Sequence, residues 1–101
     1  MLQPITPVGS ASLSASSTTG NVALVQPGGQ SYTVWVYSLP GDDVAYIAFG
    51  TSSSVEATTS DIPIPPGVIV PFIVPALWTH VAAICASTET ASLTFTSGHG
   101  A

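Results

Sequence analysis

The chain lacks lysine and arginine altogether, and only 5% of its 101 residues are charged. An ordinary soluble domain is about one quarter charged. Its five acids give a net charge of −5 at pH 7. Without basic side chains the protein has nothing that neutralises phosphates, so nucleic acid is excluded as a partner. Anionic membrane surfaces are poor partners for the same reason.

Long apolar runs and disulfides are also missing. The sequence is 46% hydrophobic, with a mean hydropathy of +0.53, but no run of about 18 uninterrupted apolar residues predicts a spanning helix. The N-terminus lacks the basic region of a secretory signal. Cys85 is the single cysteine, so no internal disulfide can form. It lies in an apolar, strand-like run and is predicted to be a buried thiol.

The inventory of catalytic groups is small. His80 and His99 are the only imidazoles, and the sequence after Gly50 does not fit the G-x-S-x-G nucleophile elbow. Asp42 and Asp43 are adjacent in a predicted turn, where they would point apart rather than face each other across a cleft. We therefore predict that the protein is not an enzyme.

No cluster of cysteine and histidine predicts a zinc site. Four acids could meet around Ca²⁺, although none of the sequence follows the EF-hand pattern. These acids are Asp42, Asp43, Glu56 and Asp61. We interpret them as solvated turn residues, and the sequence predicts no metal and no cofactor.

Strand formers dominate the chain, and turn residues separate them. Good helix formers are scarce, while β-branched and aromatic residues alternate between glycines and prolines. We predict strands over 11–16, 21–26, 30–38, 44–50, 55–59, 68–74, 80–86 and 91–96. This spacing favours an all-β, single-domain β-sandwich, with a jelly roll as one topology and a small barrel as the alternative. The sandwich is predicted over 11–97, with an extended N-terminal arm over 1–10 and a flexible tail over 98–101.

The clearest strand, 30–38, carries large side chains on both faces. Tyr32, Val34 and Val36 share one face, and Thr33, Trp35 and Tyr37 share the other. We therefore predict that this strand is covered on both sides. The aromatic residues of the predicted strands are expected in the core.

Exposed strand edges are usually blunted by lysine or proline. Lysine is absent, and the prolines cluster between residues 63 and 75, where they can protect one edge. The other edges are predicted to be covered by neighbouring subunits, in a homo-oligomer such as a trimer or in a larger assembly. A monomer with a hydroxyl-rich surface is the alternative.

Three segments are predicted to contact protein partners: the loop around Leu77 and Trp78, the proline-rich segment 62–66, and the N-terminal arm. The candidate contact residues are Leu77, Trp78, Ile62, Pro63, Ile64, Pro65, Pro66, Pro4, Ile5 and Pro7. An apolar pair at a loop tip is costly in water and often marks an interface. For Trp78, capping the end of the sandwich or stacking on a sugar ring are the alternatives.

Several segments of the sequence resemble small virion proteins of tailed bacteriophages. They are the segments 44–51, 61–67, 74–75, 79–84 and 94–100, so the resemblance spans roughly residues 20–101. It implies a β-rich, non-enzymatic component located in the virion, on the capsid or head surface. The expected function is capsid decoration, in which the protein cements the head by docking on the major capsid protein or another virion protein. A tail, neck or fibre accessory protein, including a glycan-binding module, is the alternative.

Overall fold

A computed structural model describes residues 5–25 and 31–100 of the chain. These residues form eight β-strands and no helix. The strands are β1 (Ile5–Ala15), β2 (Gly20–Ala23), β3 (Tyr32–Ser38), β4 (Ala45–Gly50), β5 (Ile62–Ile64), β6 (Ile69–Val74), β7 (His80–Cys85) and β8 (Ala91–Gly100). The all-β prediction is confirmed.

The strands form two antiparallel sheets of four, with the orders β1-β8-β3-β6 and β2-β7-β4-β5. In these sheets β1 pairs with β8, β2 with β7, β3 with β6, and β4 with β5. This is the pattern of one long hairpin rolled into two layers, which is the jelly-roll arrangement. The predicted β-sandwich is therefore confirmed.

The core lies between the inner faces of the two sheets. Alternation along β3 turns Tyr32, Val34 and Val36 inward, and all three are buried. The largest fully buried side chains are Phe95, Ile47, Ile64 and Leu93. Burying such side chains stabilises the fold by about 1.5–3 kcal/mol each. Salt bridges to lysine or arginine cannot contribute to the stability of the fold, because the chain contains neither residue.

The two chain ends pair with each other. β1 runs from Ile5, and its register with β8 extends from Ile5–Gly100 to Ala15–Ala91. Residues 5–10, predicted as an arm, and residues 98–100, predicted as a tail, are thus strand residues that hydrogen-bond across the sheet. Local sequence rich in Gly, Ser and Pro did not indicate this pairing, because the partner lies some 90 residues away. Pro4 lies outside the described residues.

Residues 51–61 form no strand, so the short strand predicted over 55–59 is wrong. Instead this segment, the covering segment, crosses the outer face of the second sheet. Asn21 donates from Nδ2 to the carbonyl of Ser53 at 2.8 Å, and the Ala57 N–H donates to Thr19 Oγ1 at 2.9 Å. Its donors are bonded to side chains and to its own turns rather than to a neighbouring strand. Ala82 in β7 is completely buried although it lies outside the core cluster.

Candidate interaction surface

The outer face of the first sheet has no equivalent cover among residues 5–25 and 31–100. At β3 and β6 the backbone register places three pairs side by side on this face: Thr33 with Ile73, Trp35 with Pro71, and Tyr37 with Ile69. We call these six residues the open face. The two faces of the sandwich therefore differ, because one is covered by the chain itself and the other is not.

The open face exposes apolar side chains to solvent. Ile73 is 81% exposed and Ile69 is 37% exposed, while Trp35 and Tyr37 are half-buried. The described residues of this chain therefore cover β3 on its inner side and leave this side without cover of their own. Large side chains on both faces of a strand show that both faces are apolar, but they do not show whether the same chain covers them.

No acid lies on the open face. Asp42 and Asp43 lie between β3 and β4, Glu56 and Asp61 lie in the covering segment, and Glu89 lies between β7 and β8. Because the chain has no lysine or arginine, the open face carries no charge of either sign.

The other half of this outer face, on β1 and β8, is lined with hydroxyls. Ser10 and Thr96 hydrogen-bond through their side-chain oxygens at 2.9 Å. A shallow groove of about 300 Å³ lies nearby. It is lined by Ser12, Leu13, Ser14, Leu39, Ser92, Leu93 and Thr94. The lining holds no titratable group for acid–base chemistry and no aromatic ring on which a sugar would stack.

Trp78 lies in a turn after β6 and is anchored to the body of the sandwich. Its N–H donates to the carbonyl of Pro75 at 3.0 Å, and its own carbonyl accepts the Tyr32 hydroxyl at 2.7 Å. The indole is stacked on Phe49, with ring centroids 5.9 Å apart and an interplanar angle of 9°, and Phe49 meets Phe72 edge-on. One face of the indole is thus occupied, and Trp78 caps this end of the core while remaining 38% exposed.

The other predicted contact residues are distributed over separate elements. Leu77, in the same turn as Trp78, is 77% exposed. In β5, at the edge of the second sheet, Ile62 is 41% exposed but Ile64 is fully buried. Of the flanking prolines, Pro63 and Pro65 are exposed and Pro66 is half-buried. The backbones of Ile5 and Pro7 belong to β1.

Sequence reasoning missed Ile69 and Ile73 as candidates for a contact. The signal was present, because Ile69, Pro71 and Ile73 alternate along a strand whose inward residues are also apolar. A proline-containing strand was treated as an edge, and its outward side chains were not considered. The structure makes these residues part of the exposed apolar surface of the first sheet.

Three acids accept hydrogen bonds: Asp61 accepts the Thr58 N–H through Oδ2 at 2.7 Å within the covering segment, and Asp42 and Asp43 accept bonds from distant residues. Asp42 accepts the N–H of Ser92 through Oδ2 at 2.8 Å, and Asp43 accepts the N–H of Thr90 through Oδ2 at 3.1 Å. They therefore fasten the loop after β3 to the start of β8, rather than pointing apart. Charge-assisted bonds of this type are stronger than neutral ones.

The described part of the chain contains neither a cluster of three or more metal-ligating side chains nor a membrane-spanning helix. No group of three or more His, Cys, Asp or Glu residues there could hold an ion. No helix in these same ranges is long and apolar enough to cross a membrane. His80 Nδ1 and the Thr79 hydroxyl are hydrogen-bonded to each other at 2.7 Å.

Cys85 is a buried free thiol, 1% exposed. Burial raises the pKa of this thiol above its ordinary value of 9.0, and the negative charges of Asp43, Glu89 and Asp42 raise it further. The reactive thiolate is therefore disfavoured at neutral pH.

No protein-family model and no curated protein sequence matches this chain. One similar solved structure comes from work on Bacillus endospore appendages, described as a novel family of disulfide-linked pili. It aligns with 99% of this chain and 91% of its own, with 16% identity and a TM-score of 0.59. This likeness supports the fold and no more.

Proposed function

We propose that this chain is a non-enzymatic structural protein that works as a subunit of a larger protein assembly. The observation that carries the proposal is the open face, an uncharged apolar sheet surface on a protein of net charge −5. Contiguous exposed apolar surface on a small domain usually marks a place where another molecule binds. Leu77, 77% exposed, adds a second apolar contact beyond the sheet.

The chemistry of the described surface supports a role in docking rather than catalysis. Asp42 and Asp43 hold backbone N–H groups, and the groove beside β1 offers hydroxyls without a neighbouring base. Nucleophilic catalysis by a hydroxyl needs a base within hydrogen-bond reach. The same surface is well suited to burial against a protein.

The particular assembly we favour is a virion, in which the chain decorates the capsid by docking on the major capsid protein. The support is the resemblance of residues 20–101 to small phage virion proteins. A decoration protein that binds the assembled shell better than its free subunits stabilises the shell by mass action. The exposed Leu77 would supply apolar contact area for this docking, and no reactive group is required.

An appendage subunit is the second candidate, favoured by the similarity in fold to a chain from disulfide-linked pili. The two proteins differ in the cysteine chemistry available for linking subunits. Cys85 is the one cysteine of these 101 residues, and it is buried. Contacts between subunits through these 101 residues would therefore be noncovalent, and a reducing agent would leave those contacts intact.

Stoichiometry tests the proposal. Quantitative mass spectrometry of purified particles or appendages from the source culture should detect the chain, after digestion with a protease other than trypsin because no tryptic site exists. Hundreds of copies per virion would support capsid decoration, and about a dozen would indicate a neck or tail role instead. Enrichment in filaments would support the appendage. Absence from every particle and filament would overturn the structural role.

Leu77 offers a direct test of docking. The variant Leu77→Ser should bind purified shells or filament ends more weakly than the parent, since it removes an apolar side chain that is 77% exposed and so hardly supports the fold. Ser87→Ala, at another exposed turn, is the control and should bind normally. If the parent and both variants bind equally well, the turn that carries Leu77 is not part of the interface.

A further inference from the structure

We propose that the open face is where a second copy of this chain docks, so that two first sheets pack face to face. The inference rests on the proposed role as an assembly subunit and names the partner of one surface. The residues that carry the contact are Trp35, Tyr37, Ile69, Pro71 and Ile73.

Charge selects this surface for self-association. Two copies each carry a net charge of −5 and have no lysine or arginine to offset it, so any contact that brings acids of the two copies together is repulsive. Like charges placed against each other in an interface are strongly unfavourable. The open face has no acid, and face-to-face packing on it leaves the acids of both copies outside the contact.

The opposite side of the sandwich does not fit this face equally well. The outer face of the second sheet is already occupied by the covering segment, which brings Glu56 and Asp61 to that side. Docking the open face there would desolvate carboxylates against apolar side chains, and no basic residue could pair with them. The self-complementary contact, in which both partners use the same surface, is the arrangement that avoids this cost.

The extent of the surface is compatible with a stable pair. The whole outer face of the first sheet, with four strands spaced about 4.8 Å apart and six to eleven residues each at about 3.3 Å, measures on the order of 500 Å² in plan. The open face on β3 and β6 is roughly half of it, so the pair must also bury the hydroxyl-lined half on β1 and β8. Stable interfaces bury about 800 Å² of accessible surface per partner. Val68 and Leu39 border β6 and β3 and are about half exposed, so they extend the apolar area at its rim.

The hydrophobic contact can be broken without touching the core. Ile73 is 81% exposed, so Ile73→Glu should fold normally while placing a carboxylate in each half of the interface. We expect self-association, measured by sedimentation equilibrium over a concentration series, to weaken at least about 30-fold. Ser87→Glu is the matched control, since it adds the same charge at an exposed turn residue between β7 and β8, outside the open face. It should associate like the parent protein.

A mixing experiment distinguishes self-docking from a general effect of charge. Ile73→Glu and Ile73→Lys, each prepared separately with circular dichroism confirming the fold, should both self-associate weakly. Mixed at low salt, they should form a heterodimer whose affinity falls as salt rises. No heterodimer would show that the two copies of residue 73 do not lie close to each other in a contact between copies.

The outcomes separate this inference from the function on which it rests. A parent protein that stays monomeric to about 1 mM overturns the self-docking proposal. If that monomer still binds shells or filaments, the role as an assembly subunit stands and the open face docks on another protein. If it is also absent from particles and filaments, both proposals fail. Binding of the monomer to a polysaccharide, lost in Trp35→Ala, would assign the face to a glycan instead.

Discussion

Val55 occupies the space that any side chain at Gly50 would need. A Cβ atom placed on Gly50 would lie 2.5 Å from Val55 Cβ, far inside van der Waals contact. Gly50 is the last residue of β4, and Val55 belongs to the covering segment. The segment can therefore lie flat on the second sheet because this one position lacks a side chain.

Gly50→Ala should displace the covering segment. We expect a loss of about 1–3 kcal/mol in the free energy of unfolding, as for other overpacked sites, measured by urea denaturation. Hydrogen exchange should quicken at the Ala57 N–H, which donates to Thr19 Oγ1. Gly20→Ala is the control, since its added Cβ would meet nothing closer than Leu13 Cδ1 at 3.8 Å. Equal stability of the two variants would contradict this role for Gly50.

Asp42→Ala should destabilise the fold by about 1–2 kcal/mol. The variant removes the carboxylate that accepts the Ser92 N–H at 2.8 Å at the start of β8, and charged acceptors contribute at the upper end of the range for hydrogen bonds. Thermal and urea unfolding would measure the change. Glu56→Ala removes the same charge from an exposed residue and should cost less than about 0.5 kcal/mol. A similar loss in both variants would point to net charge rather than to the hydrogen bond.

Ser97→Ala should stabilise the protein. The Ser97 hydroxyl is fully buried and has no hydrogen-bond partner among residues 5–25 and 31–100, and an unsatisfied buried group costs about 1–3 kcal/mol. A gain of about 1 kcal/mol in urea denaturation is the expected result. Ser10→Ala provides the comparison, because it removes an exposed hydroxyl that bonds to Thr96 and should not stabilise. A loss of stability in Ser97→Ala would mean that its hydroxyl is satisfied in solution.

The Cys85 thiol should resist labelling in the folded protein. Its pKa is raised, first by burial and then by Asp43, Glu89 and Asp42, so the neutral thiol is the folded form at and above neutral pH. The unfolded chain loses this proton at lower pH than the folded chain. The contribution of the neutral thiol to the free energy of unfolding is therefore fully present below about pH 9, and it is lost as the pH rises further. Ellman's reagent should react slowly at pH 8 and rapidly in urea. Rapid native labelling would contradict the buried position.

The composition and the spacing of strands were enough to predict a β-sandwich, because alternation of apolar residues and the placement of Gly and Pro are local properties. Tyr32, Val34 and Val36 were assigned to one face from period two alone, and the structure buries all three. The buried state of Cys85 followed from its apolar neighbours in the same way.

The chain ends and the covering segment could not be predicted in this way. Pairing of Ile5 with Gly100 depends on residues far apart in sequence, and no local pattern encodes a distant partner. Residues 55–59 were predicted as a short strand, but the donors of the covering segment meet Thr19 and its own turns. The contact candidates 62–66 were chosen as a group, and β5 buries Ile64 while leaving Ile62 exposed, because alternation divides neighbours between two faces.

The sequence by itself determined that this protein is acidic, all-β and unable to bind phosphates through basic side chains, since these properties follow from composition and local periodicity. Only the tertiary structure decided which face of the sandwich stays open. Both sheets have apolar residues on their outer faces, and the covering segment can lie over one of them because Gly50 and Val55 fit together there. The face with Trp35 and Ile73 is left uncovered by the described residues because the chain crosses the other sheet.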